Sequence, residues 1–389
     1  MMNSPVDLSS LPDDLLLNCL ARVSRLYYPI LSLVSKRFSS LVASPELYKI
    51  RKLLGQTESC LYVCLESMSG FDRHWFTLCR RPTRTPNLNS RRFTSCFRPN
   101  LIDGTSKEEK KSSEKLLVSV PIRNYCPRFG LKNIITLGSN IYMIGEFSST
   151  VFFMDCRSHT WHEGPGMQVA AKYNEVSVLD GKIYVVERCK VSVSSNLIQV
   201  FDPKTQIWEC VASPSTGIRG RFGLNSLAID GKLYLFGDKN LVYKPKEKTW
   251  DVVGFEINFH WIPHDSFCVI DKVIIYYYNR HSRLLEWYDP EGSSWGILNG
   301  LEELLPKLPR VLVSRHVRLV DYGGKVAIFW EKEVRPLIGC NKIIIWCAEI
   351  ALERHNAQEI YGKIEWCDVV LTLPNSCSID ELNAVSITV

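Results

Sequence analysis

The chain has 389 residues, 46% of them apolar and 23% charged, which is ordinary globular composition and excludes a mostly disordered or collagen-like polypeptide. Its 47 basic and 41 acidic residues leave a net charge of +6, too mild to argue for a nucleic-acid partner. No apolar run reaches the roughly 18 residues of a membrane span. The best candidate, Ile343 to Leu352, is broken by Glu349, and the first ten residues lack the basic and apolar regions of a secretory leader. Fourteen cysteines spread along the chain without a CxxC pair read as reduced thiols, most of them small buried apolar groups. These features predict an intracellular protein, cytoplasmic and/or nuclear, with no membrane partner.

Residues 8–55 read as helical. Leu11, Leu15, Leu16, Cys19, Leu20 and Val23 recur at three- and four-residue steps, so they share one helix face. Pro12 is placed in the first turn, where its missing N–H is no loss, and Asp13 and Asp14 suit the positive helix N-terminus. A second run is predicted from Pro29 through Leu33, Val34, Phe38, Leu41 and Val42. A third opens at Ser44-Pro45-Glu46, a capping hydroxyl followed by a proline, and ends at Gly55. Three helices in fewer than 50 residues bury too little surface to be comfortable alone. They predict an apolar face completed by a partner.

From residue 56 to 389 the pattern is that of strands, and it repeats. Phe153-Met154-Asp155, Val200-Phe201-Asp202, Val242-Tyr243-Lys244 and Trp287-Tyr288-Asp289 are each followed six residues on by a tryptophan: Trp161, Trp208, Trp250 and Trp295, at intervals of 47, 42 and 45 residues. Upstream of each lies a tight turn such as Asp180-Gly181 or Asp230-Gly231, which suits positive φ. Each repeat therefore holds four strands. One such sheet cannot bury both faces, whereas several packed radially can, each burying its tryptophan. A β-propeller of six blades follows. The period fails after Trp295. Trp366 is the next plausible blade tryptophan, with a long hairpin around Ile350 to Gln358 in between. Ala384 to Val389 is expected to pair beside Leu61 to Leu65 and close the ring, removing two exposed edges.

Residues 80–115 interrupt the blade assembled from the chain ends. Arg80, Arg81, Arg84, Arg91, Arg92 and Arg98 occur there without an acid among them, and Ser106 to Lys115 is polar and charged. A basic, partly disordered insertion is expected. No nucleophile elbow, zinc-protease motif, phosphate loop or dinucleotide fingerprint occurs. The His159/His162 and His260/His264 pairs fall in predicted turns without a nearby Cys pair. Cys60 and Cys64 share a strand face and read as buried thiols. Adjacent acids at 13–14, 108–109 and 302–303 form no catalytic dyad. Catalysis, metal and cofactors are all expected to be absent.

Leu11-Pro12-Asp13-Asp14-Leu15, Cys19 to Val23, Leu33-Val34-Ser35-Lys36-Arg37-Phe38 and Ser44-Pro45-Glu46-Leu47 resemble an F-box, and the tryptophan repeats resemble kelch blades. The chain looks like a plant-type F-box/kelch-repeat protein over nearly its whole length: a small all-α F-box over 8–55, then an all-β kelch-type propeller over 56–389. The double glycine usual in kelch blades is intact nowhere, the positions reading Gly145-Glu146, Val186-Glu187, Gly237-Asp238 and Tyr276-Tyr277.

The resemblance implies a non-catalytic substrate receptor of an SCF-type ubiquitin ligase, in which the F-box binds a Skp-type adaptor and, through it, a cullin–RING ligase. Leu11, Pro12, Leu15, Leu16, Leu20, Val23, Pro29, Leu33, Val34 and Phe38 are the candidates for that contact, some of them instead packing the F-box on itself. The propeller would hold an unidentified target. Residues just before each first strand (Arg128, Phe129, Lys172, Tyr173, Arg221, Phe222, His260, Trp261, His264, Arg315 and His316) would form a basic, aromatic rim suited to an acidic or phosphorylated segment. The rival expectation is a kelch interaction scaffold independent of ubiquitin.

Overall fold

The computed structural model describes residues 11–67, 73–80, 114–122, 133–171, 174–187, 198–211, 225–236, 240–253, 267–278, 284–292, 294–309, 317–334, 342–356, 358–374 and 379–389. Four short helices come first: α1 (Asp13–Ala21), α2 (Tyr28–Leu31), α3 (Lys36–Val42) and α4 (Pro45–Leu53). Pro12 stands just before α1 as its N-cap rather than within its first turn. α4 starts as its sequence suggests, with Ser44 Oγ accepting from the Leu47 N–H, and Gly55 follows it at φ +64°.

The predicted second helical run is not continuous. A 3-10 turn over Arg25–Tyr27 leads into α2, which stops at Leu31. Ser35 is extended (φ −159°, ψ 163°), and its side chain accepts the Phe38 N–H to start α3. A side-chain cap offers the backbone an alternative to continuing the helix, and here it wins. Leu33 and Val34 therefore sit in a turn, at 57% and 66% exposure.

Six four-stranded antiparallel sheets follow. The first contains β1 (Ser59–Ser67), β2 (Arg73–Arg80) and β3 (Lys115–Ser119). The second is β4 (Asn133–Leu137), β5 (Asn140–Ile144), β6 (Val151–Asp155) and β7 (Thr160–Glu163); the third is β8 (Asn174–Leu179), β9 (Lys182–Glu187), β10 (Ile198–Asp202) and β11 (Ile207–Val211). The fourth is β12 (Asn225–Ile229), β13 (Lys232–Phe236), β14 (Leu241–Lys244) and β15 (Thr249–Val252); the fifth is β16 (Phe267–Ile270), β17 (Val273–Tyr278), β18 (Leu284–Asp289) and β19 (Ser294–Ile297). The sixth is β20 (Val317–Asp321), β21 (Val326–Val334), β22 (Lys342–Asn356) and β23 (Glu359–Pro374), and β24 (Ile379–Thr388) returns to complete the first. This is a six-bladed propeller.

Its hairpin turns carry the backbone that the sequence called for. Asp180 and Gly181 lie at φ +50° and +73°, and Asp230 and Gly231 at +50° and +70°, positive at both central positions as a two-residue hairpin with right-twisted strands requires. The ring closes as expected: β24 pairs antiparallel with β1, with Leu61 opposite Ser386 and Val63 opposite Ala384. β24 touches both β20 and β4, so the last strand of the chain is the inner strand of the first blade.

The tryptophans behave unequally. Trp161 and Trp208 are buried, Trp250 is half-buried, and Trp295 is 58% exposed, against the expectation that every blade buries its own. On β19 the residue facing inward is Gly296, opposite Trp287, whose indole lies 3.0 Å from where a Gly296 Cβ would be. Trp287, completely buried, takes that space. In the sixth blade the position matching Trp161 is filled by Ile364, opposite Ile350, which in turn pairs with Val326. Trp366 sits two residues further on, opposite Glu349. The long hairpin is there, β22 and β23 running 15 and 16 residues and pairing out to Asn356 and Glu359, with three register shifts along the way. Arg80 and Lys115 end the strands flanking the basic insertion, and residues 81–113 lie outside the described residues.

Candidate functional site

The helices do not stand apart from the propeller. Leu16, Leu17, Leu20, Ala21, Tyr28, Leu41, Val42, Leu47 and Tyr48 share one buried cluster with Cys60, Tyr62, Cys64 and Trp75 of the first blade and Ile141, Met143, Met154 and Trp161 of the second. Much of the apolar face that the sequence left uncovered is thus covered by the chain's own blades. Cys60 and Cys64 are the buried thiols anticipated, on one face of β1.

Two arginines fasten this junction. Arg51, on the buried face of α4 one turn after Leu47, is 1% exposed. Its Nη1 donates to the Ala21 and Val23 carbonyls at 3.2 and 2.8 Å and to Tyr28 Oη at 3.1 Å, tying the end of α1 to α4. Tyr28 Oη in turn donates to the Leu20 carbonyl at 2.8 Å. Burial, opposed by Arg51, pushes the Tyr28 hydroxyl up to about 12, so it remains a neutral donor. Arg25, in the 3-10 turn, crosses to the second blade and donates through Nη2 to the Cys156 carbonyl at 2.9 Å. Sequence reasoning passed over both. The available signal was a charged residue at a core-facing step of an amphipathic helix, Leu47 to Arg51.

The ten candidate adaptor residues divide into groups. Leu16 and Leu20 are core; Leu11, Val23, Pro29 and Phe38 are half-buried; Pro12, Leu15, Leu33 and Val34 are exposed. One ion pair joins the two stretches that carry the exposed residues. Arg37, at the start of α3, donates through Nη2 to Asp13 Oδ1 at 2.6 Å and also to the Leu11 carbonyl. It ties the start of α3, just after the Leu33–Val34 turn, to the start of α1, where Leu15 follows the N-cap Pro12. An apolar patch with an ion pair beside it, on helices whose other face is packed, is the form of a protein-docking surface.

The candidate rim residues Arg128, Phe129, Lys172, Tyr173, Arg221, Phe222, His260, Trp261, His264, Arg315 and His316 all lie outside the described residues. His159 and His162 do not act as a pair. His159 Nε2 is 2.9 Å from Tyr62 Oη, whereas His162 stacks on Phe153. Among the described residues, no group of three His, Cys, Asp or Glu side chains could hold a metal, and no helix is long and apolar enough to cross a membrane.

Comparison with known proteins agrees with this architecture. Residues 8–50 match the F-box domain, and residues 75–371 match the FKB95 kelch-repeats domain. An F-box/kelch-repeat protein of Arabidopsis thaliana is 60% identical over 405 aligned residues, covering 100% of both chains. A second from the same plant is 58% identical over 401 residues, again covering 100% of both. A third is 45% identical over 377 residues, 95% of this chain and 92% of its own.

Proposed function

We propose, from the premise that this chain belongs to the F-box/kelch-repeat family, that it is a substrate-recognition subunit of an SCF-type ubiquitin ligase. Its helical segment docks on a Skp-type adaptor, and its propeller carries a target protein to the ligase inside the cell. The chain supplies position rather than chemistry. Holding a target lysine near the charged conjugating enzyme raises its effective concentration, and no reacting group is needed here.

The observation that carries this reading is the exposure of Pro12, Leu15, Leu33 and Val34, on two stretches joined by the Arg37–Asp13 ion pair, while Leu16, Leu17 and Leu20 of the same segment are buried against the blades. Leucine and valine side chains at 49 to 66% accessibility keep about half or more of their surface in water, and a partner that covers them gains the burial of that remainder. Target capture is assigned to the basic and aromatic rim before the first strands, by the chemistry of Arg128, Arg221 and Arg315.

The test is co-purification of a Skp-type adaptor with the full chain and with the Leu33→Asp/Val34→Asp variant. The wild type should retain the adaptor, and the variant should lose it with an unchanged melting temperature. A wild-type chain that ignores the adaptor, or a variant that still holds it, overturns the reading and leaves a kelch scaffold independent of ubiquitin.

A further inference from the structure

A cavity of about 270 Å³ lies where the helical segment meets the first two blades. The helices contribute Arg25, Val42 and Tyr48 to its wall; the blades contribute Tyr62, Leu78 and His159. The wall is thus largely apolar or aromatic, and of its two arginine charges one has no counter-ion among the described residues.

That charge is Arg25, 8% exposed. Its Nη2 reaches the Cys156 carbonyl at 2.9 Å and Tyr62 Oη at 3.5 Å, and its Cζ lies 5.1 Å from the centre of the Tyr48 ring. Its Nη1 is buried and has no hydrogen-bond partner. Among the described residues, no carboxylate pairs with the guanidinium. Glu58, the nearest acid in sequence to contact this residue, accepts from the Arg25 backbone N–H and pairs its carboxylate with Arg51. A buried arginine is always charged, and a buried charge without a counter-charge is among the most unfavourable arrangements a protein can hold. An anionic acceptor is what the site lacks, and the cavity beside it has room for one.

The rest of the site narrows the ligand. Arg157 also lines the cavity, but both its Nε and Nη2 are taken by the Asp155 carboxylate, at 2.9 and 2.8 Å. One unbalanced positive charge remains, which matches a monoanion rather than a doubly charged phosphate. The hydroxyl of Tyr62 is neutral, since burial pushes it well above its ordinary range. The apolar walls call for an apolar body. We propose that the cavity binds a small organic carboxylate with an apolar body, its carboxylate held by Arg25. Such a ligand touches helices and blades together and so fixes the helical segment on the propeller.

The experiment uses the full chain and two probes of one shape, phenylacetate and its neutral counterpart phenylacetamide, followed by melting temperature and by titration calorimetry. Phenylacetate should raise the melting temperature saturably with one site per chain and bind about tenfold or more tightly than the amide. Arg25→Gln should abolish that preference. If Arg25→Gln does not fold, Ala43→Phe, which fills the cavity from the end of α3 and leaves Arg25 in place, should abolish saturable binding. Equal binding of both probes, no saturable binding of phenylacetate, or wild-type binding by both variants overturns the proposal. An equal response to inorganic phosphate overturns the requirement for an apolar body.

Discussion

Arg51 Nη2 lies 3.0 Å from Glu58 Oε2, joining α4 to the residue just before the first propeller strand. The contact is an ion pair without a directed hydrogen bond from Nη2. Glu58 also accepts the Arg25 N–H at 2.6 Å, and its own backbone exchanges two hydrogen bonds with Val389. One carboxylate therefore sits where helices, first strand and last residue meet. Glu58→Gln preserves the acceptor and removes the charge, leaving Arg51 buried without its counter-ion. Stability should fall by about 1–3 kcal/mol, moderated by the partial exposure of Glu58. Urea unfolding measures it, and an unchanged midpoint would show that the ion pair is dispensable.

The core and exposed members of the adaptor candidates should separate cleanly. Leu20→Ala removes a side chain buried among α1, Tyr28 and the first blade and should cost about 2–5 kcal/mol. Leu15→Asp, at a half-exposed position, should leave the melting temperature within a degree or two while weakening adaptor capture. A variant of Leu15 that melted as early as Leu20→Ala would move Leu15 into the core set.

Removing residues 384–389 takes from β24 the part that pairs with Ser59 to Val63, and with it Ile387 and Val389, both buried. Each such side chain contributes about 1.5–3 kcal/mol, and the cut also opens an unpaired edge on β1. The melting temperature should drop by about 10 °C or more, or the protein should aggregate. A melting curve that overlays the full chain's would remove closure from the account of stability.

Lys115 and Glu349 form a buried ion pair between the first and sixth blades, with the Lys115 ammonium 5.2 Å from the Trp366 ring centre. Lys115→Met alone strands the Glu349 carboxylate and should cost about 3 kcal/mol. Lys115→Met with Glu349→Leu should recover most of that loss, because an apolar pair needs no counter-charge. A double variant as weak as the single one would show that no such coupling exists.

Asp289 ends β18, and burial alone would raise its carboxyl. Arg354 at 2.6 Å and the N–H groups of Glu291 and Gly292 outweigh burial and hold it below the usual carboxylate range. A depressed folded value means that its stabilisation is complete above the unfolded value of about 3.9 and is lost as pH falls through the lower folded value. Asp289→Asn should therefore lower the melting temperature at pH 7 and narrow the gap to wild type below pH 4. A gap constant from pH 7 to pH 3 would exclude this linkage.

The amino-acid sequence by itself determined the two-part plan: Leu, Pro and Ser at helix-start spacings near the N-terminus, then a four-strand unit recurring every 42 to 47 residues. It also determined the ring closure, since an apolar terminal strand had only the first strand left to pair with. These are local or periodic signals, set by capping, by positive φ at Asp-Gly turns and by alternation along strands. Only the tertiary structure decided which apolar residues stay uncovered. Ser35 breaks the second helical run and leaves Leu33 and Val34 in water, whereas Leu16 and Leu20, written in the same alphabet, face Tyr28 and the first blade. It alone revealed that Trp295 lies outside while Trp287 fills the blade, and that Arg25 is buried with no carboxylate paired to it among the described residues. Periodicity states which face of an element prefers to leave water. Which neighbour arrives to cover it is settled by residues well beyond the element itself, from Tyr62 and Trp75 to Met154 and Trp161, whose contribution no local pattern records.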